Sequence, residues 1–377
     1  MDLRLTEAQE ILKKATRDFL ATECPKTLVR ELEKSEKGYS PELWKKMAEL
    51  GWMGLVIPEA YEGIGYSFFD LTVLLEEVGR NILPGPLIPT VISSFAIIEG
   101  GTEEQKKEYL PKISSGDLII TLGLLEAEGS FEASGISLKA TAKGEDFTLN
   151  GTKLFVEMAH VADYIVCVTR TEDGTSPEKG ITLFLVDAKS PGVKHTVIPT
   201  IGADKLCEVR FENVTVPKKN MLGKLNAGWQ LVEIMLRKGA IAKCAESIGA
   251  MQTCVEMTVA YSKERVQYER PIGAFQALQH IMANMWTSMQ TGRYLVYQAA
   301  WLESEGQPSA KEVSLAKAYI NEVYKDVAQW AIRLHGGIAT SYDHDIPLYY
   351  RRSLAAGASF GSTDYHRELV AEKIGLK

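Results

Sequence analysis

The sequence predicts an α+β chain built as an N-terminal helical domain, a central antiparallel β-domain and a C-terminal helical bundle. Three observations carry that prediction. Up to about residue 115 the apolar residues recur at helical spacing. From Leu118 to Pro217 the chain breaks into short β-rich runs, and beyond Gly228 the helical period returns in stretches longer than an average helix. The expected domain limits are 1–116, 117–222 and 223–377.

Taken in order, Thr6 with Gln9 three positions on reads as a capping box. Ile11, Leu12, Ala15, Phe19 and Leu20 put an apolar stripe on the helix that follows. Helices are also expected over Pro41–Trp52, Phe69–Val78 and, after Pro84, Pro86 and Pro89, over Val91–Glu99, with Pro58–Gly65 a glycine-rich loop. The stretch GTEEQKKEYLPKISSGD from Gly101 reads as a helix stopped by Pro111 and Gly116. In the β block, LIITLGLLE, FTLNGTKLFVE, DYIVCVTRT, GITLFLVDA, KHTVIP and CEVRFENVTVP are split by Gly, Asn, Asp and Pro at regular spacing, which predicts antiparallel strands. Long helices over Trp229–Tyr261, Phe275–Glu305 and Ala310–Leu334 carry apolar stripes that suit a bundle.

Composition narrows the function classes. A chain of 377 residues is too long for one simple core. With 45% apolar residues and a net charge of -7 it should be folded and soluble, and no dense basic tract points to nucleic acid. The five cysteines, 24, 167, 207, 244 and 254, show no C-x-x-C spacing; they read as reduced thiols of a cytoplasmic protein, and no metal site is expected. The N-terminal MDLRLTEAQEILKKA is charged and amphipathic rather than signal-like. No apolar run is long enough for a membrane span.

The richest motif is YSKERVQYERPIGAFQ, Tyr261 to Gln276. Arg265 and Arg270 bracket Tyr268, Pro271 and Gly273 break the helix, and Gln276 starts the next one. Arginine holds phosphate through two parallel hydrogen bonds and Gln offers both donor and acceptor, so the segment suits a bulky phosphorylated cofactor. On the residues alone, a helix end whose basic groups complement the dipole explains it as well. The pattern Y-x3-R-x2-(aromatic)-x2-P-I-x2-F-Q resembles the signature of the acyl-CoA dehydrogenase family, and the Gly101–Pro111 stretch resembles that family's G-T-x2-Q-K-x3-L-P. The resemblance extends over the whole chain. It implies FAD as cofactor, an acyl-CoA substrate, an electron-transferring flavoprotein as acceptor, and a tetramer, homomeric or built with a related chain. It also implies that Arg265, Tyr268 and Gln276 contact FAD, in part across a subunit interface.

Two β-block loops extend the resemblance. Leu124–Ser130, LLEAEGS, is similar to the flavin loop T-E-P-x-A-G-S, with Glu126, Gly129 and Ser130 matching; it is one residue shorter, and Leu125 replaces the usual Thr. Gly151–Glu157 is similar to G-x-K-x-W-I-T, so Phe155 stands for the flavin-packing Trp, followed by Val156, and Glu157 for the hydroxyl residue near N5. Alone, each loop is an ordinary glycine turn. Arg333, Gly336 and Gly337 resemble a Q-x2-G-G segment that meets the FAD pyrophosphate of a neighbouring subunit, with Arg333 in the Gln position; a glycine-terminated helix is the plainer reading. The resemblance adds Ser362 and Asp364 to the cofactor contacts.

Removing an α-proton from a thioester requires a carboxylate of tuned pKa. The family carries it in a Y-E-G-T segment; here Ala358–Asp364 reads ASFGSTD, and Phe360 falls where the Glu is expected. Some relatives place it on the helix after the β-domain, and by spacing to Gly249 that position is Gly239. Both positions lack a carboxylate, so the catalytic residue stays unassigned, with Glu126, Glu157 and Asp364 the carboxylates nearby. The resulting expectation is an FAD-dependent acyl-CoA dehydrogenase that desaturates an acyl-CoA, with branched and cyclic acyl groups among the candidates. The alternatives are an FAD-binding subunit that lacks its own base and a non-redox protein on the same fold.

Overall fold

The computed structural model describes residues 4–376. Six helices open the chain: α1 (Glu7–Glu23), α2 (Lys26–Lys34), α3 (Pro41–Glu49), α4 (Phe68–Asn81), α5 (Leu87–Gly100) and α6 (Glu103–Ser114). Thr6 caps α1 reciprocally: its hydroxyl accepts from the Gln9 N–H, and the Gln9 side chain accepts from the Thr6 N–H. The same device starts α4 at Ser67 and α6 at Thr102. Contrary to the sequence expectation, α6 runs through Pro111 to Ser114 and ends only before Gly116, at φ 76°. Pro111 forfeits one backbone hydrogen bond, and the buried Leu110 and Ile113 on either side hold the turn in place.

Eight strands form one sheet: β1 (Ile120–Gly123), β2 (Lys139–Lys143), β3 (Asp146–Glu157), β4 (Tyr164–Arg170), β5 (Ile181–Asp187), β6 (Val193–Ile198), β7 (Leu206–Val216) and β8 (Met221–Leu222). Their order is β6-β7-β3-β2-β4-β5-β8, with β1 added on β4. The sheet is mixed, not wholly antiparallel: β1 lies parallel to β4 from Ile120↔Tyr164 to Gly123↔Cys167, and β2 meets β4 in parallel at Lys139↔Arg170. The β2–β3 hairpin is inserted between β1 and β4, and a crossover of that length permits parallel pairing. Side chains alternate between two cores. Ile165, Cys167, Phe184 and Val186 enter a core inside the β-block, whereas Val166, Val168, Leu183 and Leu185 join the large core shared with the helices.

The C-terminal third holds α7 (Trp229–Glu264), a short hairpin of β9 (Val266–Gln267) and β10 (Arg270–Pro271), then α8 (Gln276–Ser304), α9 (Ala310–His335), α10 (Ile346–Ala356) and α11 (Thr363–Lys373). Helix α7 is the axle of the molecule, packed by α4 and α5 as well as by α8 and α9. Its crossing with α4 is backbone-close: a Cβ on Gly249 would lie 1.7 Å from the Glu76 carbonyl oxygen, and one on Gly79 1.8 Å from that of Glu246. Two buried acids of α4 tie the helices together. Glu76 accepts from Lys13 (3.0 Å), Arg293 (2.8 Å) and the Tyr297 hydroxyl (2.7 Å), and Glu77 from the Arg17 guanidinium (2.8 and 2.9 Å). All five cysteines are free and buried. Among the described residues no helix is long and apolar enough to cross a membrane.

Candidate active site

An open cleft of about 360 Å³ lies where α5, the sheet edge and the segment after α10 meet. Its walls are mainly apolar, with Ile92, Leu125, Phe131, Phe155, Ile201 and Phe360 prominent. The two glycine loops of the β-block build one wall, and a buried ion pair locks them together. The Lys153 ammonium donates to the Leu124 carbonyl (3.0 Å) and the Glu126 carboxylate (2.7 Å), while the Leu154 N–H donates to the Leu125 carbonyl (2.8 Å). Glu126 also accepts from the backbone N–H groups of Ser137 (3.1 Å) and Leu138 (3.0 Å). Burial alone would raise the Glu126 carboxyl; Lys153, Ser137 and Leu138 together hold it below the ordinary carboxylate range.

Phe155 owes its position to a break in the ladder. The β3–β7 register shifts between Lys153 and Val156, and Phe155 takes the left-handed conformation at φ 55°. The kink presents its ring to the cleft, 47% exposed, and sends Val156 into the β-block core. Glu157, the next residue, lines the cleft with its Oε1 3.4 Å from the Lys243 ammonium of α7. Burial pushes the Glu157 carboxyl above the usual range; Lys243 opposes this, while Asp204 and Glu246 reinforce it. Burial disfavours charged Lys243, yet Glu157, Glu246 and Asp204 outweigh it and drive the ammonium's pKa well up.

Three family descriptions match in sequence: acyl-CoA dehydrogenase N-terminal domain over residues 6–117, middle domain over 121–214 and C-terminal domain over 226–375. The chain is 30% identical over 380 residues to the short-chain-specific acyl-CoA dehydrogenase of Clostridium acetobutylicum, covering 99% of this chain and 100% of that one. It is 31% identical over 353 residues, 92% of each chain, to a subunit of the caffeyl-CoA reductase–Etf complex of Acetobacterium woodii. The butyryl-CoA dehydrogenase structure from Megasphaera elsdenii superposes with a TM-score of 0.93 at 28% identity over 100% of both chains. The chain belongs to the acyl-CoA dehydrogenase family. Members of the acyl-CoA dehydrogenase family are FAD-dependent.

Against that family pattern, the sequence-derived residues divide into two places. Leu125, Phe155 and Glu157 line the cleft. Arg265, Tyr268, Gln276, Arg333, Gly336 and Gly337 are exposed and do not line it. They gather instead at one end of the helical bundle, where the Tyr261 ring stacks on His335 at 4.5 Å and brings the end of α7 to the end of α9. A Cβ on Gly336 or Gly337 would meet no atom within 4 Å, so that backbone is open to approach.

The remaining residues point elsewhere. The Glu126 carboxylate is engaged with Lys153, and the Val156 side chain is in the core, so neither side chain reaches into the cleft. Ser130 folds back on its own loop, accepting from the Glu132 N–H (3.1 Å). Ser362 caps α11 by accepting from the Tyr365 N–H (3.2 Å), and the Asp364 side chain is 93% exposed. The two positions at which the family resemblance places a carboxylate meet face to face, the Phe360 ring covering Gly239.

Sequence reasoning missed Asp204, Lys243, Glu246, Tyr324 and Arg352, which surround the cleft floor. One signal was available: Lys243 and Glu246 interrupt the apolar stretch GAIAKCAESIGA of α7, on a helix whose neighbours are buried.

Proposed function

We propose that this protein is an acyl-CoA dehydrogenase in which Glu157 removes the α-proton of a bound acyl-CoA thioester. The observation that carries the reading is the Glu157 carboxylate facing an apolar cleft beside Lys243. Of the two carboxylates lining that cleft, Asp204 is taken up by the Thr200 hydroxyl, which leaves Glu157 as the freer acceptor. A carboxyl with its pKa raised by burial is a stronger base once ionised; Lys243 steadies the carboxylate before transfer, and taking the proton leaves Glu157 neutral. Phe155, Leu125 and Phe360 keep water from the reacting carbon.

The cleft fits FAD. Gly129, at φ 65° with no atom within 4 Å of a would-be Cβ, leaves backbone open beside the exposed Phe155 ring. Bound FAD supplies the acceptor for the β-hydride. Leu125, Phe155 and Glu157 are the wall it meets within one subunit; Arg265, Gln276, Gly336 and Gly337, exposed at the bundle end, reach the FAD of a neighbouring subunit in this reading. Trp286, Tyr294, Leu315 and Trp330, exposed on α8 and α9, supply apolar surface for a tetramer. The Acetobacterium woodii relative, named as part of an Etf complex, supports an electron-transferring flavoprotein as acceptor. Domain limits at 1–116, 117–222 and 223–377 and a cytoplasmic location complete the reading.

The test is dye reduction by the FAD-loaded chain with straight, branched and cyclic acyl-CoAs and the matching free acids. CoA thioesters should be oxidised and free acids should not, because the thioester acidifies the α-proton and CoA anchors it. Glu157→Gln should lower the rate by about 10²-fold or more. An undiminished rate in that variant removes Glu157 from the role.

A second reading is favoured by the Phe360–Gly239 contact, which closes both usual carboxylate positions. In it the chain binds FAD but needs a related chain to complete the site. FAD-loaded protein inert toward every acyl-CoA until a partner is added would select it.

A further inference from the structure

Beneath the cleft, between α7, α9 and α10, lies a much smaller hollow of about 30 Å³, room for one or two water-sized groups. Its lining includes Lys243, Glu246, Tyr324 and Arg352, and it shares Asp204, Ala355 and Ser359 with the cleft above, so the two spaces adjoin. The Tyr324 hydroxyl makes no hydrogen bond, although the residue is 3% exposed. Nε and Nη2 of Arg352 are likewise buried and without a partner. The neighbouring groups are engaged with one another: Lys243 lies 3.2 Å from Glu246 and 3.4 Å from Glu157, and Asp204 accepts from the Thr200 hydroxyl. Unpartnered buried donors are uncommon, and here two side chains on different helices leave theirs unmet around one space.

We propose that this hollow receives an acceptor oxygen at the far end of the acyl group, a ketone or a carboxylate, held by the Nε–Nη2 edge of Arg352 and the Tyr324 hydroxyl. The inference rests on the acyl-CoA reading of the cleft and specifies its substrate class: acyl groups oxygenated away from the thioester. One guanidinium edge presents two parallel donors, the geometry that meets a carboxylate or the lone pairs of a carbonyl. Charge favours the carbonyl. Lys243 and Arg352 face Glu246 and Asp204 there, two positive groups against two negative ones, so the hollow is balanced without an added anion.

The experiment is calorimetric titration of the FAD-loaded protein with acyl-CoAs matched in carbon count and ending in a methyl group, a methyl ketone or a carboxylate, at two chain lengths. At least one oxygenated form should bind about tenfold tighter than the methyl form, and which one leads identifies the group. Tyr324→Phe and Arg352→Met should each cut that advantage to about threefold or less while leaving the methyl-ended Kd within about twofold. Equal or tighter binding of the methyl form in the wild type, or an advantage that survives both substitutions, overturns the proposal and leaves the hollow to water. Absence of binding by every CoA thioester is a different result, which fails the acyl-CoA reading itself and this inference with it.

Discussion

The Phe360 ring occupies the space that a side chain on Gly239 would need: a Cβ built on Gly239 would lie 2.1 Å from Phe360 Cε1. Phe360 itself sits at φ 54° in the turn before α11, facing the cleft. The two positions at which the family pattern places a carboxylate are therefore one packing unit here, large on one side and absent on the other. A carboxylate at position 239 therefore needs the Phe360 ring moved or removed.

Coupling between these residues is measurable. Gly239→Ala should destabilise by about 1–3 kcal/mol through overpacking. Phe360→Ala should relieve most of that loss, because the clash is with the ring. Denaturant unfolding of the two single variants and the double variant gives the coupling directly, and additive effects would refute the contact.

Glu157 should set the acidic limb of the pH–rate profile. A base works when ionised, and burial raises this carboxyl, so kcat/KM should fall with decreasing pH around a midpoint above the ordinary Glu range. Lys243→Met removes the partner that lowers that midpoint, so the limb should move to higher pH. Phe360→Glu would add a second carboxylate to the same cleft, raising one of the two midpoints instead of simply improving the rate. A limb unmoved by Lys243→Met contradicts the pairing.

Arg265→Ala should release FAD. Arg265 is exposed at the end of α7, free to bind phosphate, and a desolvated phosphate loses about 1.5–3 kcal/mol with each charged hydrogen bond removed. Flavin absorbance after gel filtration reads the result, and full retention counts against the assignment.

The buried Glu76 is a stability determinant sensitive to acid. Burial would raise its pKa, but Arg293, Lys13 and the Tyr297 hydroxyl hold it below its ordinary value of 4.5. The group is ionised in the folded state at a pH where the unfolded chain takes up a proton. Its contribution is therefore complete above 4.5 and is lost as pH falls through the depressed folded value. Glu76→Gln should destabilise by about 3–5 kcal/mol at neutral pH by leaving Arg293 and Lys13 without their counter-charge, and should flatten the acid limb of stability. Urea midpoints across the acid range test both parts.

Light scattering should find a tetramer, alone or with a related chain. Trp286, Tyr294 and Trp330 on α8 and α9 are 44%, 57% and 37% exposed in the single chain, apolar surface that assembly would cover. A monomer that retains FAD would remove the inter-subunit role given to Arg265 and Gly336–Gly337.

The sequence by itself determined what is periodic or local. The Thr6/Gln9 box, the long C-terminal helices and the side-chain alternation of β4 and β5 all follow from spacings within a few residues of one another. The loop resemblance singled out Leu125, Phe155 and Glu157, which line the cleft, because a short motif travels with its loop. Tertiary structure decided the rest. It put β1 parallel on β4, let α6 continue through Pro111, turned Glu126 onto Lys153, and left the Arg265 group at the bundle end, away from the cleft. It also set Phe360 against Gly239 and left Tyr324 and Arg352 unpartnered beneath the cleft. Each of these depends on which side chains meet from elements far apart in the chain, and a contact of that kind leaves no period and no spacing for a single sequence to display.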